Sequence, residues 1–252
     1  MASSAVALLL LALSPVTCRA AGTIIKSLDA LNSTVHGRVR VNVPFELPCF
    51  SSYEGQALEL DAAACLAIQQ DYASPAFRAE HPGAYMNSQD SMCSSDPSDQ
   101  CVLDNTNPTD PLAFLGQDCR QGNVPPLYLE VTGARDVQAA FSLARSLGTP
   151  LVIKNSGHDY LSHSSQKGAL ALWTRNLRKL EYHDAFVPQG CSGSGEEVPK
   201  HAAITTGAGV SCDEAYGFAN DKNVTILCAY SETVGISGGW VQTAGHSVLS
   251  PV

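Results

Sequence analysis

Three short glycine-bearing stretches hold the residues whose types could do chemistry. They are Lys154-Asn155-Ser156-Gly157-His158-Asp159-Tyr160, Gly207-Ala208-Gly209-Val210 and Thr233-Val234-Gly235-Ile236-Ser237-Gly238-Gly239. Glycine lets backbone approach a ligand closely, and successive N–H groups can form a concave anion site. Three such turns could surround a diphosphate without cationic side chains, which suits a chain of formal charge −9. His158 adds an imidazole, a nucleophile when neutral. Two other chemistries draw on the same residues. Gly235-Ile236-Ser237-Gly238-Gly239 satisfies G-x-S-x-G, with His246 downstream. A nucleophile elbow, however, needs a strand directly before the serine and a helix after it. Here the expected strand ends near Leu227, two glycines would open the helix, and no Asp or Glu lies between Gly238 and Val252. His158, Asp159 and His163 are metal-ligand types, but they share a loop and lack a recognised ligand spacing.

The elements that must carry these turns follow from periodicity. Leu127 to Val131 alternates and is rich in β-favouring residues, which predicts a strand. Ala134 to Leu147 places Val137, Ala140, Phe141 and Ala144 on one helical face, with Gly148 as the stop. Leu151 to Ile153 reads as a further strand, so the three form a β-α-β unit with a parallel strand pair. A polar loop, Asn155 to Lys167, leads to a strand over Ala169 to Trp173. His201 to Thr206 is expected to be a strand entering Gly207. Ser211 caps a helix running to about Asp221, with Asp213 and Glu214 in its first turn. Val224 to Leu227 is expected to be one more strand. The order implies an α+β or α/β sandwich of short elements.

The stretch from Leu151 to Ser164, L-V-I-K-N-S-G-H-D-Y-L-S-H-S, resembles the flavin-anchoring motif of the FAD-linked oxidases. That family includes vanillyl-alcohol oxidase and the berberine-bridge-enzyme-like proteins, which share a PCMH-type FAD-binding domain. The preceding P-P-L-Y-L-E-V is similar to the opening of that domain, and T-V-G-I-S-G-G-W-V-Q-T-A-G-H-S to its second glycine-rich signature. The resemblance spans Asn123 to Val252, with the three turns in family order. It implies FAD as cofactor, bound covalently through His158. It also implies that Asn155, Ser156, Gly157, Asp159, Tyr160 and Ser164 line the diphosphate loop. Gly207 and Gly209 would form a second wall, and Thr233, Gly235, Ser237, Gly238, Gly239 and His246 a third. Ser231 stands where some relatives carry a second flavin-linking cysteine, which implies a single link and places Cys228 in a disulfide or in the core. Thr243 and Ala244 stand where relatives often have glycine, so their side chains would crowd the diphosphate. The implied activity is hydride transfer from a C–H bond of a small organic substrate to the flavin, with reoxidation by oxygen. Relatives continue beyond Val252 into a substrate domain, which implies an FAD domain incomplete at its C-terminal end and leaves the catalytic base unassigned. The alternative is an inactive secreted glycoprotein that keeps part of the scaffold.

Outside this region the chain reads as exported. Val6 to Leu13 is a short apolar run followed by Pro15 and small residues to Ala20, a pattern of a signal peptide over residues 1–20, although no Lys or Arg precedes it. With Cys18 removed, the remaining eight cysteines are Cys49, Cys65, Cys93, Cys101, Cys119, Cys191, Cys212 and Cys228. An even count on the secretory route predicts disulfides, with connectivity open. Two sequons, Asn32-Ser33-Thr34 and Asn223-Val224-Thr225, fit the same route. Residues 21–122 are expected to form a loop-rich, disulfide-stapled extension with one helix from Leu58 to Tyr72, leaving residues 123–252 as the FAD domain. The acidic balance and lack of a basic cluster argue against nucleic acid. No segment after the first apolar run predicts a membrane span. Oligomeric state is open.

Overall fold

Strand formation in the first half is governed by one continuously apolar segment. In a computed structural model, which describes residues 18–92, 96–188, 190 and 200–250, Leu170–Trp173 is buried at all four positions. Such a run suits a central strand with both faces covered. In chain order the first elements are α1 (Cys18–Thr34), β1 (Val39–Val41), β2 (Ser52–Tyr53) and β3 (Gln56–Ala57). There follow α2 (Ala62–Gln70), α3 (Pro75–Ala79), α4 (Ser88–Ser91), β4 (Leu127–Glu130), α5 (Ala134–Leu147), β5 (Leu151–Lys154) and β6 (Leu170–Trp173). The second half adds β7 (Leu180–Phe186), β8 (His201–Thr206) and α6 (Cys212–Asp221). The α+β class expected from the chain is the class observed.

The chain divides into two compact units, one ending at Asn176 and the other beginning at Leu177. In the first, the sheet order is β1-β4-β6-β5. Leu127, Leu170 and Leu151 stand in register, as do Glu130, Trp173 and Lys154, so β4, β5 and β6 run parallel and end level. The loop after β5 therefore leaves from the same sheet end as the turns after β4 and β6. The β-α-β unit is present, but its strands are not neighbours: β6 lies between β4 and β5. Helix α5 has the bounds its periodicity predicts and stops at Gly148, whose φ of 65° is the left-handed conformation glycine tolerates.

The segment expected as an extension is woven into this sheet. β1 pairs antiparallel with β4, and Arg38, just before it, grips Asp136 in the first turn of α5 through two hydrogen bonds of 2.6 and 2.8 Å. Beyond β1, Cys49–Cys65 and Cys101–Cys119 staple a cluster of Phe45, Phe50, Ile68, Tyr72 and Leu103. Each bridge contributes about 2–4 kcal/mol by restricting the unfolded chain. α2 begins at Ala62 rather than Leu58 because Asp61 caps it, accepting from the Ala64 amide at 3.0 Å. Helix α1 has no counterpart in the periodicity reading. The proposed signal core, Cys93 and Cys191 lie outside the described residues. Among the described residues, no helix is long and apolar enough to cross a membrane.

In the second unit β7 and β8 form an antiparallel pair, and α6 starts at a capping box made by Ser211 and Glu214. The strand expected over Val224 to Leu227 does not form. Among the described residues β7 and β8 pair only with each other and no ladder partner reaches Val224 to Leu227, and a strand without one leaves its backbone groups unpaired. The segment instead leads from a left-handed turn at Asn223 into the disulfide Cys212–Cys228.

Candidate functional site

The loop that follows β5 is built from the backbone outward. Gly157 has φ +92°, and a Cβ there would lie 3.2 Å from both Ala84 O and Tyr85 Cα. Glycine is thus favoured twice, by a conformation that strains other residues and by tight space. The Gly157 carbonyl accepts from the Met86 amide at 3.0 Å, which fixes the peptide leading into His158. His158 is partly buried, and burial pushes its imidazole down to about 4. The ring is therefore neutral at physiological pH, the protonation state in which a ring nitrogen can act as a nucleophile.

Around it, Asn155, Ser156 and Ser164 are buried, while Tyr160 is exposed. The Asp159 carboxylate shapes the turn, accepting from the amides of Leu161 (3.1 Å) and His163 and pairing with His163 Nδ1 at 3.1 Å. That local use accounts for the Asp159 and His163 pair without a metal. Ser164 takes Tyr85 Oη on its carbonyl at 3.1 Å, but the Oγ atoms of Ser164 and Ser165 are buried with no hydrogen-bond partner in the protein. A buried hydroxyl without a partner costs about 1–3 kcal/mol, and ligand oxygens of a diphosphate would satisfy both. The residues of this loop fit an FAD diphosphate on that ground.

Besides Ser165, four further residues at this site lie outside the set expected from sequence. Lys154, at the end of β5, is fully buried and donates from Nζ to His81 O at 3.1 Å. Burial, reinforced by Arg78 and Arg175 and opposed by Glu80, pushes its amine down to about 7. Tyr85 and Asp90 approach from the stapled segment, and Ser162 Oγ donates to Asp90 Oδ1 at 2.8 Å. Burial raises the Asp90 carboxyl. No local pattern marks these residues, because each acts across 70 or more positions of chain.

The other two glycine turns meet in the second unit. The Cys212 amide donates to Val234 O at 2.9 Å and the Ile236 amide to Val210 O at 3.0 Å, laying 210–212 against 234–236. The Cys212–Cys228 disulfide closes the same small core, so Cys228 is both bonded and buried, as expected. Gly207 is glycine because a Cβ would fall 2.1 Å from Leu177 O. The amides of Gly207 and Gly209 already donate to Lys179 O (2.7 Å) and Leu177 O (2.9 Å), so these two N–H groups are not spare anion donors. Thr233 and Gly235 are buried, Gly238 lies in the turn Ile236–Trp240, which is kinked at the extended Gly239, and His246 is exposed. The Ser237 hydroxyl pairs with that of Thr206, not with a histidine, and no strand leads directly into it among the described residues, which argues against the nucleophile-elbow reading.

Residues 125–251 match the family described as FAD binding domain. The FAD-linked oxidoreductase ffsJ of Aspergillus flavipes is 43% identical over 222 residues, 88% of this chain and 35% of that protein. The FAD-linked oxidoreductase cheF of Chaetomium globosum is 44% identical over 221 residues, again 88% and 35%. The crystal structure of the VAO-type flavoprotein MtVAO615 from Myceliophthora thermophila superposes with a TM-score of 0.70 at 34% identity, covering 89% of this chain and 36% of that one. The chain thus spans about a third of the length of these relatives.

Proposed function

We propose that this chain, which belongs to the FAD-linked oxidoreductase family with a VAO-type FAD-binding domain, holds its flavin covalently through His158. The observation that carries the reading is a half-buried imidazole, which burial favours in its neutral form, on a turn whose left-handed glycine strains any side chain. When bound, FAD would accept a hydride from a C–H bond of a small organic substrate and be reoxidised by oxygen. The protein's own residues supply binding and orientation. His158 offers a ring nitrogen as nucleophile, Gly157 and Met86 fix the peptide that carries it, and the Ser164 and Ser165 hydroxyls receive diphosphate oxygens. No residue is assigned as catalytic base. We further propose secretion with removal of residues 1–20. The even cysteine set and the sequons at Asn32 and Asn223 support that route. Sequencing the N-terminus of the exported protein tests it, and a product that begins before Ala21 would refute it.

The decisive experiment is to express the chain with FAD and precipitate it with acid. Flavin fluorescence should stay with the wild-type protein and be lost from His158→Ala. Retention in His158→Ala would move the link to another residue. A folded, colourless wild type would favour the non-catalytic scaffold.

A further inference from the structure

The stapled segment around residues 81–90 grips the 154–165 loop at four points. Lys154 Nζ donates to His81 O at 3.1 Å, and the Met86 amide donates to Gly157 O at 3.0 Å. Tyr85 Oη donates to Ser164 O at 3.1 Å, and Ser162 Oγ to Asp90 Oδ1 at 2.8 Å. Three of these ties are ordinary hydrogen bonds, two between neutral groups and one from a hydroxyl to the buried Asp90 carboxyl. The fourth is not. Lys154 has no exposed surface, its ammonium lies 5.2 Å from the Tyr85 ring centroid, and Arg78 and Arg175 add repulsion. Burying a charged amine is costly, and a methionine would fill the same space without that cost. What methionine cannot supply is the second donor on the His81 carbonyl, which also accepts from the Ala84 amide at 3.1 Å, and with it the cross-link from β5 to this segment.

We propose that Lys154 is a positioning residue, whose amine ties the base of the flavin loop to the His81–Met86 segment and so holds the Gly157–His158 peptide in place for the flavin. This rests on the reading of His158 as the flavin anchor. The path is short. Lys154 begins the loop, its stem runs beside Gly157, where a Cβ would lie 3.4 Å from Lys154 Cε, and Met86 on the tethered segment binds the Gly157 carbonyl. Loss of the tether therefore loosens the two sides of the Met86–Gly157 bond together, and His158 is the next residue.

The test uses the full chain as wild type, Lys154→Met, Lys154→Gln and His158→Ala, each incubated with FAD. The first readout is the rate at which acid-stable flavin fluorescence appears. The second is amide hydrogen exchange over 81–87 and 155–159 in protein not exposed to FAD, and the third is the thermal midpoint. Lys154→Met should slow attachment about tenfold and raise exchange at Met86 by a similar factor, the scale of one lost buried hydrogen bond. Lys154→Gln, which keeps a donor, should recover part of both losses. Wild-type attachment and exchange in Lys154→Met would overturn the proposal. Equal losses in Gln and Met would also overturn it, because the donor would then be irrelevant. If Lys154→Met does not fold, Lys154→Gln against wild type decides, since a folded Gln variant with unprotected Met86 again refutes the tether. If the wild type acquires no stable flavin, the His158 reading fails, and exchange at Met86 alone upholds or overturns the Lys154 tether.

Discussion

At Gly157 the left-handed backbone strains any side chain, and a Cβ would lie 3.2 Å from Ala84 O and Tyr85 Cα, so that residues 84–85 would have to give by a few tenths of an ångström. Gly157→Ala should therefore destabilise the protein by about 1–3 kcal/mol, measured by urea unfolding, from strain at φ +92° and displacement of residues 84–85. It should also reduce acid-stable flavin. His158 gives a pH signature. Its pKa falls from the ordinary 6.5 to about 4 on folding. The unfolded chain then binds the extra proton between those values, so this residue's contribution is fully present above about 6.5 and is lost as pH falls towards 4. His158→Ala should flatten the stability profile between about pH 4 and 6.5, and an unchanged slope there would contradict the buried neutral imidazole. Both residues were legible in the chain as a glycine–histidine turn after an apolar strand. Lys154, Tyr85, Asp90 and Ser162 were not, since their partners lie far away in sequence.

Among the elements, α5 depends on what meets its N-terminus. Asp136 accepts two hydrogen bonds from Arg38, and at 2.7 and 2.9 Å from the amide and hydroxyl of Thr132. The Arg38 guanidinium holds its carboxyl well below the usual carboxylate range. A carboxylate so depressed stabilises the fold above its unfolded pKa, about 3.9, and that contribution disappears as pH drops below it. Asp136→Asn should cost about 1.5–3 kcal/mol at neutral pH, the scale of hydrogen bonds to a charged group. The loss should shrink in acid, as denaturant titrations at several pH values would show. The bounds of α5 came from the 3.6-residue spacing of its apolar positions and from Gly148. That β1 would join the sheet at β4 did not, because three residues of strand carry too little pattern to choose an edge.

For the molecule as a whole, the described disulfides lie within the two units rather than between them. Cys49–Cys65 and Cys101–Cys119 belong to the first and Cys212–Cys228 to the second. Cys212 and Cys228, 16 residues apart, close a loop across α6 and tie it to the core of Val210, Ala215 and Ile236. Replacing both cysteines by serine should cost about 3 kcal/mol, the entropy scale for a loop of that length. Denaturant unfolding should show the loss, and residues 207–211 and 233–237 should become more open to hydrogen exchange. A double variant as stable as wild type would mean that packing alone holds the two glycine turns together.

What the chain determined by itself was local. The strands at Leu127, Leu151, Leu170 and His201, the helices at Ala134 and Cys212, and the glycine–histidine loop between them are all encoded within about fifteen residues by periodicity, caps and glycine. Tertiary structure alone decided that β6 separates β4 from β5 and that Val224 to Leu227 stays irregular. It also decided that a stapled segment from the N-terminal half supports the loop after β5. These outcomes turn on which distant backbone groups find hydrogen-bond partners, and that competition among remote segments is not written into the pattern of any one of them.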